Sequence, residues 1–158
     1  MASQSVTERA GLVVGAAAAP AICASEGAPL GGTWRALLAT STTTAASRLN
    51  TGGATWARVD NVPLPSSAAN VMSAARWNTS LNMYASGSRP GFANLPVWTG
   101  AASPTVLGTL SSPCNNWSAS SGLGTGGLAD DGTVSAAMGL YANTTACTTP
   151  RPVYCLQE

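Results

Sequence analysis

The chain has 158 residues, of which 45% are hydrophobic and only 8% charged, and its formal net charge is +1. An ordinary soluble domain carries about 25% charged residues, so this surface repels its neighbours weakly, and solubility rests on hydroxyls, attached sugar or incorporation into a larger assembly. Histidine and lysine are both absent, which excludes imidazole bases, His-based metal sites, Schiff bases and P-loop lysines.

The length fits one domain with one core, taken as residues 1–158 with its centre over about 6–156. The basic residues Arg9, Arg35, Arg48, Arg58, Arg76, Arg89 and Arg151 are scattered singly. No run or stripe tracks a phosphate backbone, so nucleic acid is not expected as a partner. The carboxylates are Glu8, Glu26, Asp60, Asp130, Asp131 and Glu158, and only Asp130 and Asp131 are neighbours in sequence. Hydrolytic chemistry of the glycosidase kind needs two carboxylates that meet in space. No enzyme and no cofactor are expected.

In chain order, Val6 to Val14 reads as a strand, and Gly15 to Ala19 opens an Ala-rich helix. Pro20 is tolerated only in a first turn, which sets the helix at about Ala18 to Ser25 with Gly27 as its stop. The apolar stretch Ala10 to Ala24 is shorter than the ~20 residues of a spanning helix. It also lacks the basic flank and small-residue site of a cleaved signal. No membrane insertion is expected, and the domain reads as a piece of a longer exported protein. Thr33 to Ala39 is a strand candidate, and Asn50-Thr51-Gly52-Gly53 is a turn. Ala68 to Trp77 suggests a short helix with Val71 and Met72 inward, followed by an irregular stretch from Asn82 to Asn94. Leu95 to Gly100 is a strand with a buried Trp, Ala102 to Leu128 reads as a long loop, and Arg151 to Leu156 alternates like a closing strand.

Four cysteines, Cys23, Cys114, Cys147 and Cys155, include no C-x-x-C pair. Two disulfides account for them better than a four-thiolate zinc site, and place the chain in an oxidising compartment.

The order of these segments carries a resemblance. Ala21-Ile22-Cys23-Ala24 is followed by Gly32-Thr33-Trp34-Arg35-Ala36-Leu37-Leu38, Val97-Trp98-Thr99-Gly100, Cys114-Asn115-Asn116-Trp117-Ser118 and Tyr154-Cys155. Together they resemble the C-type lectin-like fold. Within it the chain is most similar to a family of uncharacterised bacterial surface-protein domains found in Leptospira lipoproteins, and more distantly to endostatin. The likeness spans about Val6 to Leu156. It implies an α+β fold, with short helices around a small antiparallel sheet, a long loop region and neighbouring termini. It also implies the bridges Cys23–Cys155 and Cys114–Cys147. A calcium-dependent lectin of this fold carries a Glu-Pro-Asn or Gln-Pro-Asp loop, and a Trp-Asn-Asp segment before its third cysteine. Here Ala142-Asn143-Thr144-Thr145-Ala146 keeps Asn143 but places Thr144 where the carboxylate belongs, and no acidic residue lies between Asp60 and Asp130. A hard cation needs such oxygens, so calcium-independent binding is expected.

The remaining candidates are surface features. Gly122-Leu123-Gly124-Thr125-Gly126-Gly127 matches G-x-G-x-x-G without the strand and helix that a dinucleotide fingerprint needs, and reads as a flexible surface loop. Asp130 and Asp131 fit a turn before Gly132 better than a cation site. Trp34 and Trp98 are expected in the core. Trp56, Trp77 and Trp117 stand in loopier settings, and one of them exposed beside Arg58, Arg76 or the Asn115-Asn116 pair is the first candidate for a ligand surface. Sequons at Asn78, Asn116 and Asn143 are read as chance occurrences in a Ser- and Thr-rich chain. The expected function is extracellular recognition of a surface protein or glycan through loops in 101–145. A structural cap or subunit of a fibre or other homo-oligomer is the alternative.

Overall fold

A computed structural model describes residues 3–7, 18–52, 56–64, 68–73, 75–91, 93–109, 113–119 and 121–158. Its strands are β1 (Ser3–Thr7), β2 (Trp34–Ala36), β3 (Trp56–Arg58), β4 (Pro96–Trp98), β5 (Leu123–Leu128), β6 (Tyr141–Ala146) and β7 (Tyr154–Gln157). Its helical elements are α1 (Ala18–Gly27), α2 (Ala68–Ser73), α3 (Cys114–Trp117) and α4 (Val134–Gly139). The architecture is α+β, but the expected single small antiparallel sheet is two sheets. One has four strands in the order β2-β7-β1-β3, and the other has three in the order β4-β5-β6. The first is mixed, because β1 runs antiparallel to β7 and parallel to β3. A parallel bridge between Trp98 and Val153 joins the two sheets.

Side-chain alternation explains how the sheets share a core. Successive strand residues point to opposite faces, and β7 is a central strand whose two faces are both covered. Tyr154 and Leu156 enter one apolar cluster with Leu37, Trp56, Leu64, Trp77, Val97 and Met138. Val153 and Cys155 enter a second with Cys23, Trp34, Leu38, Trp98 and Trp117. The neighbouring pairs Leu37/Leu38 and Val97/Trp98 divide between the clusters in the same way. The second cluster holds all four cysteines. Cys23 on α1 bonds Cys155 on β7 across 132 residues, and Cys114 bonds Cys147 across 33. Two such bridges suit an oxidising, exported environment.

The helix expected at Ala18 to Ser25 forms and runs slightly further. It ends at Gly27, where the Trp34 ring lies so close that any Cβ would collide with it. The chain continues through a 3-10 turn, Ala28–Leu30, and turns at Gly31 with φ 73°. The strand expected over Val6 to Val14 occupies Ser3–Thr7, and residues 8–14 lie outside those described. Helix α2 stops at Ser73, short of Trp77. The Trp77 indole N–H donates to the Val71 carbonyl at 2.9 Å, and the Trp77 backbone N–H bonds Gly132 instead of continuing the helix.

The long loop expected from Ala102 to Leu128 is the largest departure. It contains a left-handed turn, α3, and the central strand of the second sheet, β5. The segment read as a flexible Gly-rich surface loop is therefore mostly buried. At Gly127 a Cβ would meet the Ala137 carbonyl, and at Gly124 it would meet the Trp98 ring. The glycines let α4 and Trp98 approach the strand backbone, which is why a Gly-rich run is a strand here. The remaining loop, 101–109, is tied down by bonds from Ala46 N to Pro104 O and from Gly108 N to Thr40 O. Among the described residues no helix is long and apolar enough to cross a membrane.

Candidate functional site

The three loop tryptophans are core residues, which corrects the expectation of an exposed indole. Trp56, Trp77 and Trp117 are each no more than 2% exposed. Each indole N–H donates to a backbone carbonyl, of Gln157, Val71 and Ala39 respectively. In a chain with so many polar connections, these large rings both fill the core and satisfy loop carbonyls, combining an apolar body with a polar tip. Trp34 and Trp98 are buried as expected.

Arg58 is also buried, and its guanidinium is consumed internally. Nε and Nη2 form a two-pronged pair with Asp60 at 2.9 and 2.7 Å. Nη1 donates to the Ser80 carbonyl and to Asn82 Oδ1, both at 3.1 Å. The hydrogen bond from Arg58 holds the Asp60 carboxyl below the usual carboxylate range. Arg58 is therefore no ligand contact, but it fixes the orientation of Asn82.

The Asn115-Asn116 pair lies in the left-handed turn. Cys114, Asn115, Asn116 and Trp117 all have positive φ, between 49° and 64°. Each such residue costs about 1–2 kcal/mol, least for Asn. The turn is held by the Cys114–Cys147 bridge and by two bonds between Asn116 and Ser41, from Ser41 N to Asn116 Oδ1 at 2.7 Å and from Asn116 Nδ2 to Ser41 Oγ at 3.0 Å. Asn115 is exposed, and its amide is turned back onto Ser118.

The two adjacent aspartates divide their roles. Asp131 accepts the backbone N–H of Thr133 at 2.7 Å, and that bond holds its carboxyl below the usual range. It forms the turn that the sequence suggests ahead of α4. Asp130 accepts Asn94 N–H through Oδ2 at 2.6 Å, whereas its Oδ1 is buried with no hydrogen-bond partner. Among the described residues no group of three His, Cys, Asp or Glu side chains is placed to hold a metal ion.

Asp130 lines a cleft of about 360 Å³ between β5 and the irregular stretch that precedes β4. Among the described residues its polar lining is Asn82, Arg89 and Asp130, and its apolar lining includes Pro90, Ala93 and Leu95. That volume is at the low end of the ~300–1,000 Å³ typical of small-ligand sites. Arg89 is largely exposed, and its contact with Asp60 spans 3.9 Å to a carboxylate that already pairs with Arg58. Asn82 Oδ1 is occupied by Arg58, which leaves its Nδ2 as the available donor. Of the expected ligand residues, only Asp130 lines this cleft, with Arg58 behind it. Asn82 and Arg89 belong to no motif, and the Pro90-Gly91 dipeptide beside Arg89 is the nearest turn signal in the sequence; the turn in the structure lies earlier, where Gly87 N bonds Tyr84 O.

A second notable cation is Arg151. Its guanidinium sits 5.1 Å from the centroid of Trp98 and 5.3 Å from that of Tyr141. Burial pushes its pKa down, and its Nε and Nη1 are covered and without partners. It joins β4 to β6 by cation–π contact.

No family model matches the sequence, and no curated protein matches it.

Proposed function

We propose that this chain is an extracellular recognition module of the C-type lectin-like fold, which binds a surface protein or glycan without calcium at the cleft beside Asp130. The observation that carries this reading is a cleft lined by Asp130, Arg89 and Asn82, in which Asp130 is a carboxylate with one buried oxygen, Oδ1, that has no hydrogen-bond partner. An unsatisfied charged acceptor costs roughly 1–3 kcal/mol or more, and a ligand donor recovers it. Three of the described carboxylates are engaged internally, which supports a non-enzymatic role. Asp60 is held by Arg58, Asp131 by Thr133, and Glu158 by Arg35 and Asn50. Glu26 stands exposed on α1.

The test is binding to glycan and surface-protein arrays in the presence of EGTA, with the wild type and Ala93→Trp compared. Ala93 is exposed on the cleft wall, so the indole fills the cleft without disturbing the core. Binding that persists in EGTA and weakens at least about tenfold in the variant is expected, a loss of ~1.4 kcal/mol. Binding lost in EGTA, or indifferent to Ala93→Trp, overturns the reading.

A second reading, a subunit of an oligomeric assembly, is favoured by one feature. Val106 and Leu107 are adjacent and 49% and 48% exposed on the pinned loop 101–109. Light scattering across a concentration range separates the two, since a stable oligomer dispersed by Val106→Ser with Leu107→Ser favours assembly, and a monomer favours recognition.

A further inference from the structure

We infer that a slot between Trp98 and Tyr141 is a binding site for a planar organic cation of the guanidinium class, and that Arg151 occupies and closes it from within the chain. The slot shares no lining residue with the cleft beside Asp130, so it stands independently of that reading.

Strand register builds the slot. Trp98 of β4 pairs with Gly126 of β5, and Gly126 pairs with Tyr141 of β6. Cross-strand partners are neighbours on the sheet, so Trp98 and Tyr141 flank a position that carries no side chain. The Arg151 guanidinium lies over that position, 5.1 Å from the Trp98 centroid and 5.3 Å from the Tyr141 centroid. A Cβ at Gly126 would strike the Val97 carbonyl and stand 3.3 Å from Arg151 Nη1. Glycine keeps the slot open.

The way the guanidinium is held sets the class of ligand. Its Nε and Nη1 are buried without hydrogen-bond partners, and among the described residues no carboxylate pairs with Arg151. The attraction that remains is that of two ring faces for a positive charge. A guanidinium is flat and weakly hydrated and stacks on such faces, whereas an ammonium is compact and strongly hydrated. An anion is repelled by the negative faces of the rings, and a neutral planar urea lacks the charge that they attract. Because the buried donors of Arg151 make no specific bond, an untethered guanidinium meets the same two rings once Arg151 is removed. In the wild type both rings are already engaged, and the slot is closed.

The test is the thermal unfolding midpoint of the whole chain, wild type and Arg151→Ala, with methylguanidinium, methylammonium or methylurea at about 10 mM. For an affinity of about 1 mM, mass action raises the midpoint by about 3 °C or more. Methylguanidinium is expected to raise the Arg151→Ala midpoint by that amount, methylammonium by clearly less and methylurea not at all, and the wild type is expected to respond to none. An equal response to methylurea or to methylammonium overturns the inference, as does an equal response of the wild type or no response of the variant. If Arg151→Ala does not fold, Arg151→Gln is compared in the wild type and in Tyr141→Leu, which changes a half-buried ring. The slot requires Arg151→Gln to lower the midpoint less when the Tyr141 ring is gone, and equal losses in the two backgrounds overturn it.

Discussion

Trp117 donates its indole N–H to the carbonyl of Ala39 at 2.9 Å, joining residues 78 positions apart in sequence. The same ring meets Trp98 edge to face, with centroids 5.9 Å apart and planes at 68°. This contact fastens the left-handed turn to the segment leaving β2. The Cys114–Cys147 bridge then ties the turn to the end of β6. A backbone conformation that is locally unfavourable persists because ring packing, hydrogen bonds and a covalent link over-determine it.

The turn should therefore discriminate sharply among substitutions. At Asn115 only the exposed amide contact with Ser118 is at stake, so Asn115→Gly should be neutral or slightly stabilising. Asn115→Ala should cost about 1 kcal/mol from left-handed strain. Asn116→Ala should cost about 2 kcal/mol, because it also removes both Ser41 bonds. Urea denaturation midpoints check the ranking. Equal effects at the two sites would mean that the Ser41 bonds contribute nothing.

The two disulfides should contribute unequally. Loop-closure entropy gives about 5 kcal/mol for the bridge spanning 132 residues and about 4 kcal/mol for the one spanning 33. Replacing Cys23 and Cys155 together by Ser should lower the melting temperature more than replacing Cys114 and Cys147. The difference is small on entropy alone, and the reverse order would show that holding the left-handed turn matters more than loop length.

Much of the fold is legible in the sequence. The Ala-rich α1, the Val97-Trp98 strand and the closing Tyr154-Cys155 strand follow from propensity and alternation, signals carried by neighbouring residues. Strand β5 is not legible, because glycine lacks the β-branched or aromatic signature of a strand. Its role depends on what approaches it from elsewhere in the chain. The tryptophans mislead for a related reason. Irregular backbone around Trp56, Trp77 and Trp117 suggests exposure, yet their rings reach distant carbonyls. The cleft is built by tertiary proximity between residues 82–95 and Asp130, and no spacing in the sequence announces it.

Gly127 gives the most direct check on β5. Gly127→Ala places a methyl group against the Ala137 carbonyl in backbone that cannot yield as a side chain would. A loss of about 3 kcal/mol or more is expected, at the upper end of overpacking costs. Retained thermal stability in the variant would contradict the close contact of α4 with β5.

Acid should weaken the fold through Asp60. Its folded-state pKa is lowered by the Arg58 hydrogen bond, so the stabilisation is fully present above its unfolded value. It is lost as pH falls below about 4 and through the folded value. Asp60→Asn should cost about 2 kcal/mol at neutral pH, a discounted figure for a pair that is buried only on the Arg58 side. The variant should also flatten the acid limb of the stability curve. An unchanged acid limb in chemical denaturation at about pH 2 to 5 would place the proton-linked stability elsewhere.

The cleft itself is tested most directly by backbone amide shift mapping of the isotope-labelled protein, titrated in EGTA with the strongest binder from the arrays. Recognition at the cleft requires the largest shifts at Asn82, at Arg89 to Leu95, and at Asp130, with little change in β6 or in loop 101–109. Shifts centred on Val106, Leu107 and Asn115 would contradict it, placing the recognition surface on a different set of loops and leaving the free oxygen of Asp130 without a ligand.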